Sequence, residues 1–362
     1  MRAAVLYESP GALHIEDVWI DDPGPNEVKV RVKATGLCHS DLHYLEHRYP
    51  LAGPMVLGHE AAGIVEAVGR DVSYVNPGDH VVAYSRASCR SCEWCSTGRP
   101  TLCLQTRLAR DPSASPRLRV KDGRPAIQFT GLGTFAEQML VHENSLVKIS
   151  ADTPFDRAAL VGCAVPAGVG AVTKTADVRA GSTVAVIGCG GIGLNVIQGA
   201  ALAGAGRIVA IDVNDGKLKM AKHFGASDAI NNTDGNAREQ LNDLIPGAGG
   251  VDYSFEAIGT AQTFELAFSL LRRGGTATVI GVGNEPFTLP MSGFLDERKI
   301  QGSVMGSMNY RTDLPHLLEL YRQGRLKLDE LVSRRISLDD INEGYAAIRD
   351  GAVARSVVVF ED

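Results

Sequence analysis

The ten residues "VAVIGCGGIG" (184–193) constrain this chain more than any others. Four apolar strand-formers run directly into Gly188, Gly190 and Gly193, the G-x-G-x-x-G spacing, and the apolar pattern then continues at helical period through "GIGLNVIQGAALAGAG". A strand must therefore turn tightly into a helix. Glycines leave no side chain between such a turn and a ligand, while the helix N-terminus offers unpaired N–H groups and a positive dipole to a phosphate. The next strand, "RIVAID", ends on Asp212, nineteen residues after Gly193, where a carboxylate accepts hydrogen bonds from ribose hydroxyls. Strand, turn, helix and acid together predict a dinucleotide-binding unit whose turn is Gly188, Gly190, Gly191, Ile192 and Gly193. The Asp212 charge repels a 2′-phosphate, so NAD is expected rather than NADP. Cys189, inside the turn, reads as a small apolar filler.

Around this unit the chain divides into three regions. Residues 1 to about 164 are strand-rich: "EVKVRVKAT" sets Val28, Val30 and Val32 at period two, and "GIVEAVG", "GDHVVAY" and "MLVHENSLVKI" are short runs broken by turn residues. From about 165 to 304 strands and helices alternate, with "STVAVIG", "RIVAID", "VDYSFEAIG" and "TATVIGVG" as the strands. That rhythm predicts a doubly wound parallel sheet. Residues 305–362 begin with "DLPHLLELYRQG", where Leu314, Leu317, Leu318 and Tyr321 recur at helical spacing and Gly324 stops the helix. The closing "SVVVF" is a strand expected to return to the first region. The fold class is therefore α/β: a Rossmann-type sheet over 165–304, and a β-rich domain from 1–164 with 305–362. The segment 106–130, rich in Arg, Pro and Ser, is expected to be a long irregular loop.

Composition removes several function classes. With 36 Lys and Arg against 42 Asp and Glu, the formal charge is −6, and no basic tract suggests nucleic acid or an anionic membrane. The most apolar stretch, "AALVGCAVPAGVGAV", is too short and too interrupted by Gly and Pro to span a membrane. The N-terminus lacks the apolar core of a secretory signal, so a cytoplasmic location is expected. Small molecules and other subunits remain as partners. Seven cysteines, an odd number, argue against a disulfide framework in a reducing compartment and toward metal or redox chemistry.

Four of those seven, Cys89, Cys92, Cys95 and Cys103, occur in "SCRSCEWCSTGRPTLC" at spacing C-x2-C-x2-C-x7-C. Four thiolates so close suit one tetrahedral ion, and four protein ligands leave no position for substrate, so the site is predicted to be structural. An iron–sulfur cluster and unliganded thiols are the alternatives. Elsewhere, Cys38 in "GLCHSDLHY", His59 in "VLGHEAAG" and Cys163 in "LVGCAVPAG" offer two thiolates and an imidazole. Three ligands leave a fourth position open, as a catalytic zinc requires. Spacing alone leaves open the alternative that Cys38 and Cys163 are buried small hydrophobes.

Taken together these residues resemble the zinc-dependent alcohol dehydrogenases of the medium-chain dehydrogenase/reductase superfamily. The resemblance runs essentially the full length, through "CHSDLH", "GHEAAGIVEAVG", the four-cysteine lobe, "GC" at 162–163, "GCGGIG", "AID" and "ARSVVVF". It implies a GroES-like catalytic domain beside the NAD-binding one. It further implies a catalytic zinc on Cys38, His59 and Cys163 and a structural zinc on Cys89, Cys92, Cys95 and Cys103. Asp41 would orient His59, and Glu60 would sit behind the metal. The implied reaction is hydride transfer between an alcohol and NAD, with Ser40 taking the hydroxyl proton and passing it through the nicotinamide ribose to His43. His39, where many relatives carry Arg, and Arg355 would face the pyrophosphate. Ile192 and Val282 would flank the nicotinamide, and Lys217 would join Asp212 at the adenosine ribose.

The implied substrate pocket includes Ser40, Ser85, Phe129, Thr130, Val282 and Val304. Ser85 stands where relatives often carry an aromatic ring, and "HYLEHRYPLAGPMVLGHE" is a short connection, so the expected substrate is a bulky or aromatic primary alcohol. The alternative within the superfamily is a formaldehyde dehydrogenase acting on a thiol conjugate, S-hydroxymethyl mycothiol or glutathione. Arg107, four residues after Cys103, is the anion-binding side chain that such an enzyme would use. A non-enzymatic NAD-binding protein is the alternative of another class, opposed by the intact set of zinc and relay residues. The family's habit of pairing cofactor-domain edge strands implies a homo-oligomer, dimer or tetramer.

Overall fold

The computed structural model describes residues 1–46, 49–105, 108–111, 113–349 and 355–361. Internal contacts divide the chain into Met1–Cys163 with Asn309–Asp362, and Ala164–Met308.

The second unit is a parallel sheet ordered Asp228–Asn231, Arg207–Asp212, Thr183–Ile187, Val251–Glu256, Leu271–Val279, Lys299–Gly302. Every pairing in it is parallel. The helices Gly191–Leu202, Asp215–His223, Ala237–Leu244 and Ala261–Ser269 make connections between strands. The chain winds outward from Thr183–Ile187 in one direction, then returns to its other side, which leaves this first strand at the point where the winding reverses. Doubly wound sheets bind ligands just beyond the strand ends at that point. The inner strands are buried on both faces, which is why "VAVI" and "IVAI" are apolar without alternation. The outer strands "DAIN" and "KIQG" are short and half polar, and carry no strand signal of their own. Pairing to a neighbour, rather than local preference, makes them strands.

In the first unit, strands run in the order Leu146–Lys148, His80–Ala83, Glu60–Val68, Glu27–Gly36, Arg355–Val359, Val332–Ile336, and Gln138–His142 also pairs with Glu27–Gly36. Val28, Val30 and Val32 turn inward onto Val65, Val81, Met139 and Val141, as their period of two requires. The terminal strand lies antiparallel to Glu27–Gly36, with Val358 opposite Thr35. The chain end thus closes onto the first region. Helix Tyr310–Arg322 buries Leu314, Leu317 and Leu318, and the chain leaves it through Gly324 at φ 69°, a left-handed turn that suits glycine.

The described part of segment 106–130 is largely irregular, as expected, but parts of it enter the core. Leu118 and Val120 are buried, and short strands form at Leu118–Arg119 and Ile127–Gln128. Arg110 Nε donates to Glu27 Oε1 at 3.1 Å, and Arg117 Nε donates to the same oxygen at 2.7 Å. Glu27 is buried and needs counter-charge, so two arginines in a polar stretch become internal struts. No helix among the described residues is long and apolar enough to cross a membrane.

Candidate active site and metal centres

The four-cysteine lobe is organised by its sulfurs. Cys92 precedes the short helix Glu93–Ser96, which buries no residue, and the turn Pro100–Leu102 delivers Cys103. The Sγ atoms of Cys92 and Cys95 are 3.5 Å apart, those of Cys92 and Cys103 3.9 Å, and those of Cys89 and Cys95 4.0 Å. A tetrahedral ion with metal–sulfur bonds of about 2.3 Å has sulfurs about 3.8 Å apart. The lobe fits one such ion. The Cys89 N–H lies 3.2 Å from Cys103 Sγ, and the Cys92 N–H lies 3.3 Å from Cys89 Sγ. Such donors favour thiolates. The Ser91 amide and hydroxyl, with the Cys92 amide, bring Cys89 down to about 6, while burial and Cys92 push Cys95 up to about 12.

The second cluster assembles from distant sequence. Cys38 follows strand Glu27–Gly36 and caps helix His39–Leu45, His59 and Glu60 meet at the start of strand Glu60–Val68, and Cys163 follows helix Phe155–Leu160. Ligand atoms from all four lie within 4.8 Å of one another, and all four residues are buried. Gly36 keeps the approach open, since a Cβ there would meet Glu60 Oε2 at 2.5 Å. Asp41 Oδ1 accepts the Gly58 N–H at 2.9 Å and lies 3.3 Å from His59 Nδ1. With Nδ1–H directed at Asp41, the Nε2 lone pair is left for a metal.

Electrostatics mark this cluster as incomplete without a cation. Burial works to lower the His59 pKa, but Asp41 and Cys38 raise it well above the ordinary value. A hydrogen bond with Cys163 holds Cys38 well below the usual thiol range against the effect of burial, and the same bond pushes Cys163 up. Burial drives the Glu60 carboxyl up to about 8, with Arg355 opposing. Neither Glu60 oxygen completes a hydrogen bond. Unshared buried thiolate and carboxylate are costly, and a divalent cation relieves both. The donor set therefore fits zinc.

Arg355 differs from expectation. Instead of reaching out to a pyrophosphate it is 4% exposed, donates from Nη1 to Leu37 O at 2.9 Å and lies 3.5 Å from Glu60 Oε1. Its charge balances the buried cluster, as an otherwise uncompensated carboxylate demands. Ser40 is half-buried, with Oγ 3.7 Å from Cys38 Sγ. His43 follows one helical turn later, its ring 5.7 Å from Tyr49, while His39 on the same helix is exposed. Phe129 meets the His59 ring edge-on at 5.3 Å. Its neighbour Thr130 has φ 53° and a buried hydroxyl without a partner. A β-branched residue seldom adopts that backbone, and nothing in the sequence signals it. Ser85 is half-buried, next to Tyr84, whose ring stacks on Tyr310 at 4.7 Å. Arg107 lies outside the described residues.

In the second unit the glycine turn has the required emptiness. A Cβ on Gly193 would collide with Gly188 O, one on Gly188 (φ 89°) would strike Ile258 at 2.5 Å, and one on Gly190 would meet nothing within 4 Å. The two collisions tie the turn to its neighbours, and the open side at Gly190 suits a dinucleotide. Gly191 and Ile192 open the following helix, both half-buried. Asp212 Oδ2 accepts the Cys189 N–H at 2.8 Å and Oδ1 the Asn214 N–H at 3.0 Å, which aims the carboxylate across the turn. Lys217 is half-buried in the helix after it. Cys189 is buried and its thiol is pushed up to about 12 by burial, as befits a filler. Val282 is 52% exposed, and Val304 is half-buried before the turn Met305–Ser307.

Comparison with known proteins then fixes the family. Residues 24–151 match the alcohol dehydrogenase GroES-like domain and residues 191–323 the zinc-binding dehydrogenase domain. An alcohol dehydrogenase class-3 from Zea mays is 39% identical over 99% of this chain and 97% of its own. The chain belongs to the zinc-dependent alcohol dehydrogenases of the medium-chain superfamily. An S-(hydroxymethyl)glutathione dehydrogenase from Paracoccus denitrificans is 38% identical, covering 99% of both chains. Among solved structures, the benzyl alcohol dehydrogenase from Acinetobacter calcoaceticus matches this dehydrogenase with a TM-score of 0.91 at 29% identity, over 99% of each chain. A zinc-binding dehydrogenase from Sinorhizobium meliloti bound to NADP matches with a TM-score of 0.80 at 29% identity, also over 99% of each. This alcohol dehydrogenase is thus an oxidoreductase of GroES-like plus Rossmann architecture.

Proposed function

We propose that this dehydrogenase transfers a hydride between a bulky or aromatic primary alcohol/aldehyde pair and NAD, with one catalytic and one structural zinc per chain. The observation that carries the reading is the meeting of Cys38, His59 and Cys163, three donors around one point with Asp41 fixing the imidazole. Zinc bound there supplies Lewis acidity, lowering the pKa of an oxygen ligand. The chain's own side chains do the rest. Asp41 holds the Nδ1 proton of His59, so the ring keeps one orientation and one tautomer. Ser40 Oγ, beside Cys38, receives the substrate hydroxyl proton. His43, three residues on along the same helix face, carries it to solvent. Phe129 offers an aromatic wall beside His59, and Ser85 leaves room where a ring would narrow the pocket. Both features suit a large apolar substrate. Glu60 remains behind the metal site, with Arg355 as its counter-ion.

For the cofactor, the Asp212 carboxylate favours a free adenosine ribose, and thus NAD; Lys217 adds a donor there. His39 donates to the pyrophosphate, Ile192 and Val282 line the nicotinamide side, and Val304 belongs to the substrate pocket. Met291 and Leu295, more than 80% exposed, with the half-exposed Phe287 and Phe294, lie in the segment that leads into the edge strand Lys299–Gly302 and supply an apolar surface for a second copy of the chain. A homo-oligomer follows, and seven cysteines without a disulfide suit the reducing cytoplasm. The S-(hydroxymethyl)glutathione dehydrogenases among the relatives favour a second reading, oxidation of a formaldehyde–thiol conjugate. One panel separates the two. Benzyl alcohol oxidation with NAD, indifferent to added thiol and at least about tenfold better than with NADP, supports the first reading. Formaldehyde oxidation that appears only with glutathione or mycothiol overturns it in favour of the second.

A further inference from the structure

The cofactor unit buries a second acid at a strand end. Glu256 ends strand Val251–Glu256, the neighbour of Thr183–Ile187 across the point where the winding reverses, and is fully buried. Asp212 ends the strand on the opposite side of Thr183–Ile187 and marks the adenosine half of the crevice, so the nicotinamide half lies on the Glu256 side.

Its contacts converge on that half. Glu256 Oε1 accepts the Ile258 N–H at 2.8 Å, the Gly259 N–H at 2.7 Å and the Thr263 hydroxyl at 2.8 Å. Its backbone carbonyl accepts the Ile280 N–H at 2.9 Å and the Gly281 N–H at 3.1 Å. The turns at 257–260 and 280–283 are pressed together without slack: a Cβ on Gly281 would meet Glu256 Oε2 at 2.5 Å, and one on Gly259 (φ 102°) would meet the Val282 carbonyl. The side chains these turns present, Ile258 and Val282, are half-exposed, and Ile258 also covers Gly188 of the glycine turn. Oε2 is buried with no partner. Burying a carboxyl group so incompletely served is a cost that packing alone does not explain.

We infer that Glu256 is a positioning residue for the nicotinamide half of the dinucleotide: its side chain fixes the turn that bears Ile258, against the turn bearing Val282 that its backbone carbonyl holds. The inference rests on the NAD reading above. Without the side chain the Ile258 turn loses its three bonds and loosens against the Val282 turn, the nicotinamide loses its fixed seat, and the adenosine half is untouched.

The test compares binding of NADH and of ADP, which lacks the nicotinamide half, to the full-length chain. Glu256→Ala is expected to weaken NADH about tenfold or more, the equivalent of one or two lost hydrogen bonds, while ADP affinity stays within about twofold. Glu256→Gln keeps an acceptor oxygen for the three donors and is expected to hold NADH within about threefold of the unaltered protein. Thr263→Val keeps the shape but removes that donor together with the capping contact to the Thr260 N–H, and a loss of about threefold in NADH but not ADP is expected. Equal weakening of both ligands by Glu256→Ala, or no change in either, overturns the inference. Should that variant not fold, the NADH-to-ADP ratio in Thr263→Val decides in the same way. Failure of the unaltered chain to bind NADH overturns the NAD reading instead, which keeps the two failures distinct.

Discussion

In the four-cysteine lobe three of the cysteines are half-exposed and the sulfurs sit 3.5–4.0 Å apart under backbone N–H donors, whereas Cys38, His59, Glu60 and Cys163 are buried and leave two carboxylate oxygens unpartnered. The lobe is built within fifteen positions, from one donor type, and fills every ligand position from the protein. The buried cluster spans residues 38 to 163, mixes sulfur, nitrogen and oxygen, and is backed by Asp41 and Arg355. A closed set of like donors stabilises local chain that has no core. A mixed set, buried and oriented by its surroundings, keeps polarity inside the protein where chemistry needs it.

Deleting one ligand from each cluster should break the two differently. Cys38→Ala is expected to cut turnover by about 10³-fold or more, because several kcal/mol of charge stabilisation go with the metal. Elemental analysis should then find one zinc per chain instead of two, with Tm lowered less than by loss of a lobe ligand. In Cys92→Ala the loss falls on structure: metal binding is folding energy for such a lobe. Calorimetry should show Tm lower by roughly 10 °C, with new proteolytic cuts between residues 88 and 105. Retained Tm and protease resistance would place the lobe's stability elsewhere.

Finer contrasts follow. Asp41→Asn should weaken zinc at the buried cluster about 10- to 100-fold in chelator competition, leaving the lobe zinc untouched. Complete zinc removal should expose the lobe between residues 88 and 105 to protease before the rest of the first unit, because metal binding is folding energy for it. Mass mapping of the released peptides checks the order.

Much of this contrast is legible in the sequence because the decisive signals are local. The lobe's spacing and the glycine turn each lie within a short window, and a terminal run such as "SVVVF" needs only a partner strand. What is not legible depends on distant pairing. Arg355 reads as an outward arginine until Glu60 and Cys38 are brought beside it as buried charges. Arg110 and Arg117 read as loop residues until Glu27 appears beneath them. Thr130 carries no hint of its positive φ, since no turn residue announces it. Glu256 could have been noticed as an acid ending an apolar strand, although its contacts are visible only once two turns 20 residues apart meet.

Cobalt substitution at the buried cluster tests the central claim most directly, because tetrahedral cobalt–thiolate centres absorb visibly and respond to a change of ligand. With cobalt held by Cys38, His59 and Cys163, adding an aldehyde or alcohol should shift the visible bands, and Cys38→Ala should abolish them while the lobe metal stays silent to substrate. Bands that ignore every added alcohol and aldehyde, or that persist in Cys38→Ala, would contradict an exchangeable position at this site.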